Sequence, residues 1–199
     1  MSELLTYGGL GFHHIADLNA ADHILFLLAL AAVYRLSHWR PALWVITAFT
    51  LGHSLTLGLA VTGVLSLPTA LIEFLIPVTI VVTCLENLRS LGRPGDGGTI
   101  PLRAGLALVF GLVHGAGFAN YLKAMFVDRV AVPLLGFNLG IEVGQVLILL
   151  VAGTAFALAD RTIGLIPAGP LQPFRARVIA VSAVVAVLAG RMVMERSIW

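Results

Sequence analysis

Apolar residues fall in long blocks separated by short polar, glycine- or proline-bearing stretches. Six blocks, at about 22–36, 41–64, 67–90, 103–126, 131–159 and 174–194, read as membrane-spanning helices. A hydrocarbon core about 30 Å thick needs about 20 apolar residues at 1.5 Å each. Pro41, Pro68, Pro101, Pro133 and Pro173 fall at or just before a block start, where a missing N–H is tolerated. The stretches Arg93–Thr99 (RPGDGGT) and Ile166–Pro173 (IPAGPLQP) read as loops. Residues 1–20 read as a short outward-facing segment. With no repeat and no composition break, the expectation is an all-α polytopic membrane protein. About six transmembrane helices form one bundle, a single transmembrane domain over 1–199.

Composition sharpens that picture. Of 199 residues, 59% are apolar and 11% charged, against about a quarter charged in soluble domains. This excludes an ordinary soluble enzyme, a disordered chain and a nucleic-acid binder. Basic residues set the orientation. Arg35, Arg40, Arg89, Arg93, Arg103, Arg161, Arg175 and Arg177 fall on one side; Lys123, Arg129, Arg191 and Arg196 fall on the other. The first side should be cytoplasmic, so both termini face outward. The lone Cys84 reads as a small core residue. Met1–His14 lacks a basic n-region and an h-region, so no cleavable signal is expected.

The chemistry lies in polar residues inside apolar blocks, where an unpaired ionisable group costs several kcal/mol. Helical rise puts His53 roughly 18 Å, and His114 roughly 16 Å, from the cytoplasmic end. Glu142 lies roughly 16 Å from the opposite end. All three meet near the midplane, as ligands for a borderline divalent cation such as nickel, cobalt or zinc. Asn138, Glu142 and Gln145 share a helix face, and Ser54 and Thr50 flank His53, so these polar groups can orient ligands. His13, His14, Asp17, Asp22 and His23 form an imidazole-rich acidic cluster at the outer mouth. Glu73 stands between mouth and midplane. Glu86 is expected to pair with Arg89, His38 to be solvated, and Asp22 has capping the first span as its plain alternative. Gly111 and Gly115, and again Gly136, Gly140 and Gly144, make small-xxx-small faces for close helix approach.

These residues also carry a resemblance. Asp22–Leu30 (DHILFLLAL), Phe49–Leu57 (FTLGHSLTL), Phe110–Ala119 (FGLVHGAGFA) and Phe137–Gln145 (FNLGIEVGQ), with Glu73 and the Glu86–Asn87 pair, resemble the HupE/UreJ family of bacterial membrane proteins. The resemblance covers about residues 11–150. It implies a nickel or cobalt permease of the bacterial inner membrane, serving hydrogenase and urease maturation. Ala21–Ile24 and Leu51–Ser54 are also similar to signature elements of the wider nickel/cobalt transporters. The gap from His14 to Asp22 is longer than in those signatures, and the usual glycine before Asp-His is missing. His13 and Asp17 therefore stand beside His14 as alternative ligands.

Three functions compete. A permease would capture the ion at His23 and Asp22, hold it at the midplane and release it inward. No G-x-x-x-x-G-K-[ST] occurs, so an ion gradient, the membrane potential or a partner must drive it. An intramembrane metalloenzyme would use the same histidines and glutamate, with Ser54 a nucleophile lacking an identifiable base. An accessory membrane subunit would use the polar groups only for packing. The permease ranks first, with the metal ion and the bilayer as partners and no organic cofactor. A homo-oligomer is compatible with six spans.

Overall fold

The computed structural model describes residues 3–18, 21–36, 39–91, 100–125, 130–164 and 172–197. Seven helices occur among them: α1 (Glu3–Ile15), α2 (Asp22–Ala32), α3 (Trp39–Val61), α4 (Thr69–Ser90), α5 (Ile100–Met125), α6 (Ala131–Gly164) and α7 (Pro173–Glu195). No strand occurs among the described residues. Helices α3 to α7 contain the five segments long and apolar enough to cross a membrane. They match the last five expected blocks within a few residues.

The first block differs. Helix α2 has only 11 residues, about 16 Å or half a hydrocarbon core. The expected outward segment 1–20 is largely a helix of its own, α1, packed along α6. Three glycines in α1 dilute its apolar signal, yet they are what lets it pack. A Cβ added at Gly11 would strike the Phe137 carbonyl, and one at Gly140 the Gly8 carbonyl. Leu4 faces Gly136, Gly8 faces Gly140 and Ile15 faces Gly144, so α1 and α6 run parallel. The loop Arg93–Thr99, His38 and most of the loop before α7 lie outside the described residues.

The closest helix pairs are α3 on α5, α1 on α6 and α4 on α7, with α2 lodged among α4, α6 and α7. Glycine again sets the α3–α5 distance. Gly52 faces the Leu108 carbonyl, Gly111 the Phe49 carbonyl and Gly115 the His53 carbonyl, each too close for a side chain. Both predicted glycine faces are therefore contact surfaces, and that on α5 brings the His53 backbone beside His114.

A short helix leaves orphan carbonyls at its end, and here buried side chains satisfy them. Val33 N–H bonds to Leu30, one residue short of the α-helical partner. The released Ala29 carbonyl accepts from Asn87 Nδ2 at 2.7 Å. Arg103 grips Asn87 Oδ1 at 2.9 Å, which fixes the amide's orientation. Arg177 donates to the Ala32 and Tyr34 carbonyls at 3.2 and 3.3 Å, and pairs with Asp160 at 2.6 Å. Arg103 and Arg177, expected in loops, are instead buried. They tie α2 to its neighbours where its own ladder stops.

Candidate metal centre

The break between α1 and α2 puts the last turn of one helix against the first turn of the next. His14 closes α1 and His23 opens α2; both meet His53 from the middle of α3. Their ligand nitrogens all lie within 4.8 Å of one another. The His14 and His23 rings are 4.7 Å apart between centroids, and both lie just over 6 Å from His53. His114, on α5, packs against His23 at 5.1 Å. His53 and His114 are almost wholly enclosed and His23 is 6% exposed.

Phenylalanines wall this cluster. His14 lies on Phe118 at 3.9 Å, and His53 stacks near Phe49 and Phe137 at 6.2 and 6.3 Å. Among the described residues, both nitrogens of His23 and His53, Nε2 of His14 and Nδ1 of His114 have no hydrogen-bond partner. Buried nitrogens normally find one, because leaving them bare costs about 1–3 kcal/mol each. Four such rings together fit a ligand that accepts lone pairs.

The fourth ring is aimed by Thr79. Its hydroxyl donates its one proton to the Ile76 carbonyl at 2.7 Å and sits 3.0 Å from His114 Nε2. His114 must therefore donate from Nε2, which leaves the lone pair on the bare Nδ1. A ligand histidine is commonly fixed in this way by its other nitrogen. Two nitrogens bound to one ion stand at most about 4.2 Å apart, given bonds of about 2.1 Å. In a tetrahedral site the nitrogens stand about 3.4 Å apart, so those of His14, His23 and His53, all within 4.8 Å of one another, need to draw together by up to about 1.4 Å. All-imidazole donors suit nickel, cobalt, copper or zinc and disfavour magnesium or calcium.

The other expected ligands take different places. Glu142 is half-buried and accepts from Thr47 Oγ1 at 2.7 Å, outside the imidazole group. Gln145 accepts from Thr50 Oγ1 at 2.9 Å, and the Ser54 hydroxyl bonds back to the Thr50 carbonyl at 2.6 Å. Asn138 is half-buried with its Oδ1 unpartnered among the described residues. His13 and Asp17 line an open cleft of about 650 Å³ whose wall includes His14 and Phe118. The Glu73 side chain is exposed on α4. Asp22 neither caps α2 nor joins the imidazoles; Arg196 holds its Oδ2 at 3.2 Å. Glu86 faces a small cavity with Arg103, and among the described residues it makes no ion pair with the exposed Arg89.

His23 therefore stands with His53 and His114 rather than above them. Depth counting set it at the surface because the first block looked like a complete span. The sequence reading also missed Thr79 and Thr47, whose signal was a hydroxyl inside an otherwise apolar helix, and it read Arg196 only as a loop charge.

Fold and site together define a multi-pass helical membrane protein with an interior imidazole cluster able to hold a metal ion. The chain belongs to the HupE/UreJ family: it matches the family model described as HupE / UreJ protein over residues 1–196. That family comprises membrane proteins related to nickel and cobalt transport. No curated protein and no solved structure matches the chain.

Proposed function

We propose that this protein is a nickel or cobalt permease of the bacterial inner membrane, with His14, His23, His53 and His114 as its internal ion site. The observation that carries the reading is the meeting of His14, His23 and His53 from three helices, their nitrogens within 4.8 Å. Helices α1 and α2 together make a sixth crossing, interrupted at the site. Broken helices at mid-membrane are how transporters present ligand groups where a continuous helix offers none. Both termini then face outward, and Arg35 after α2, Arg103 at the start of α5 and Arg175 and Arg177 at the start of α7 face the cytoplasm.

The route follows from the surroundings. An ion enters the cleft of His13 and Asp17, sheds water against the carboxylate and imidazole, and passes to His14. The four imidazoles replace its inner hydration. Beneath them Phe26, Phe49 and Phe110 close the way inward; Phe26 stacks on Phe49 at 4.9 Å. Below that plug lies the small cavity containing Glu86 and Arg103, where a carboxylate can receive a departing cation. The membrane potential contributes about 2.3 kcal/mol per charge per 100 mV, so inward movement of a doubly charged ion is favoured.

Radioactive nickel uptake into proteoliposomes holding purified protein tests this. Wild type should accumulate the ion under an inside-negative potential. His23→Ala and His53→Ala should fall to the level of empty vesicles while eluting as folded protein. Uptake at wild-type rates in both variants sinks the proposal. Tight nickel binding that survives chelation, without transport, would favour the metalloenzyme.

A further inference from the structure

Asp22 is the carboxylate that adjoins His23 in sequence, yet it is engaged elsewhere. Arg196, just past the end of α7, donates to Asp22 Oδ2 at 3.2 Å across 174 residues of sequence. The Asp22 carboxylate is 12% exposed and the Arg196 side chain 32%, so the pair is shielded from most water. Asp22 Oδ1 is buried with no partner among the described residues. A second contact holds the guanidinium in place. Pro77 inside α4 has no N–H to offer the Glu73 carbonyl four residues back. Arg196 Nη1 reaches that freed oxygen at 3.5 Å.

We propose that Arg196 is a positioning residue that sets the affinity of the ion site through Asp22. This rests on reading the imidazole cluster as the ion site. Four imidazoles bring no negative charge to a doubly charged ion, so the carboxylates next to them, Asp17 beside His14 and Asp22 beside His23, are the sources of attraction. Of these, Asp22 is held by an arginine. A guanidinium keeps its charge at every physiological pH, and it cancels that attraction. Its anchor on the Glu73 carbonyl keeps it beside the carboxylate instead of swinging into solvent. A permease has to release what it binds, and Arg196 holds the affinity low enough for release. The ligand concerned is a divalent transition-metal cation competing with a fixed monovalent one for a single carboxylate.

Nickel titration of the purified full-length protein in lipid nanodiscs, against a competing chelator, tests this. Arg196→Gln should tighten nickel binding by about tenfold or more, because the carboxylate is left uncompensated. Arg196→Lys, which keeps the charge, should stay near wild type. Asp22→Asn should weaken binding by about tenfold, since Arg196 is then left unpaired beside the ion. Opposite signs for the two charge-removing variants are the signature. A role in tying down the C-terminal end alone predicts the same sign, or no change, for both. Unchanged or weaker binding by folded Arg196→Gln overturns the proposal while leaving the ion site standing. If Arg196→Gln does not fold, Arg196→Lys with Asp22→Asn still decides: Asp22→Asn binding at wild-type affinity overturns it. Wild-type protein that binds no nickel overturns the ion site itself, and this inference with it.

Discussion

At the scale of single residues, the proposed centre depends on one hydroxyl outside the imidazole cluster. Thr79 uses its only proton on the Ile76 carbonyl, and this dictates which nitrogen of His114 is bare. Thr79→Val keeps the shape and removes the acceptor, so His114 loses both its tautomer and its aim. Metal affinity in the same chelator titration should drop by about 10- to 100-fold, the usual loss when a partner of a ligand histidine is removed. Retained wild-type affinity would show that His114 lies outside the coordination set. The histidines at 53 and 114 were legible in the sequence because ionisable groups in apolar blocks are rare. Thr79 was not, since a threonine in a membrane helix satisfies itself on its own backbone and leaves no pattern.

Among the helices, the contacts are made by missing side chains. Gly140 lies against the Gly8 carbonyl, with no room for a Cβ, whereas Gly190 on α7 has open space around it. Gly140→Leu should push α1 off α6 and carry His14 out of the cluster. Detergent-solubilised protein should then bind metal poorly and melt well below wild type. Gly190→Ala should be neutral, or stabilising by up to about 1 kcal/mol, because helical alanine outperforms glycine. Equal melting temperatures for the two variants would refute the packing argument. Hydropathy located α3 to α7 within a few residues, since length and apolarity suffice for a full span. It failed at α1 and α2 for a physical reason. Two short helices, one diluted by glycine, carry no full-span signal of their own. The polar groups at the end of α2 belong to that same difficulty. Asn87, Arg103 and Arg177 are needed only because the helix stops inside the protein.

For the whole molecule, the proposed arrangement predicts an even number of crossings with both ends outside. Reporter tags or single cysteines placed before Glu3 and after Arg196 should both be accessible from the outer face, and cysteines near Arg161 only from the cytoplasm. Termini found on opposite sides would remove α1–α2 as a crossing and with it the proposed entry route. The sequence by itself determined that the chain is helical, embedded in lipid and a carrier of imidazoles at depth, because burying charge in hydrocarbon is too costly to occur without a use. It also identified the family through ordered motifs around His23, His53, His114 and Glu142. Only the tertiary structure decided which of these groups meet. His14 joins the imidazole cluster because helix α1 ends at Ile15, while Glu142 bonds Thr47 and Asp22 pairs with an arginine 174 residues away. Periodicity reports which face of a helix is apolar. It carries no information on where two helices stop and face each other, and the proposed ion site lies at that junction.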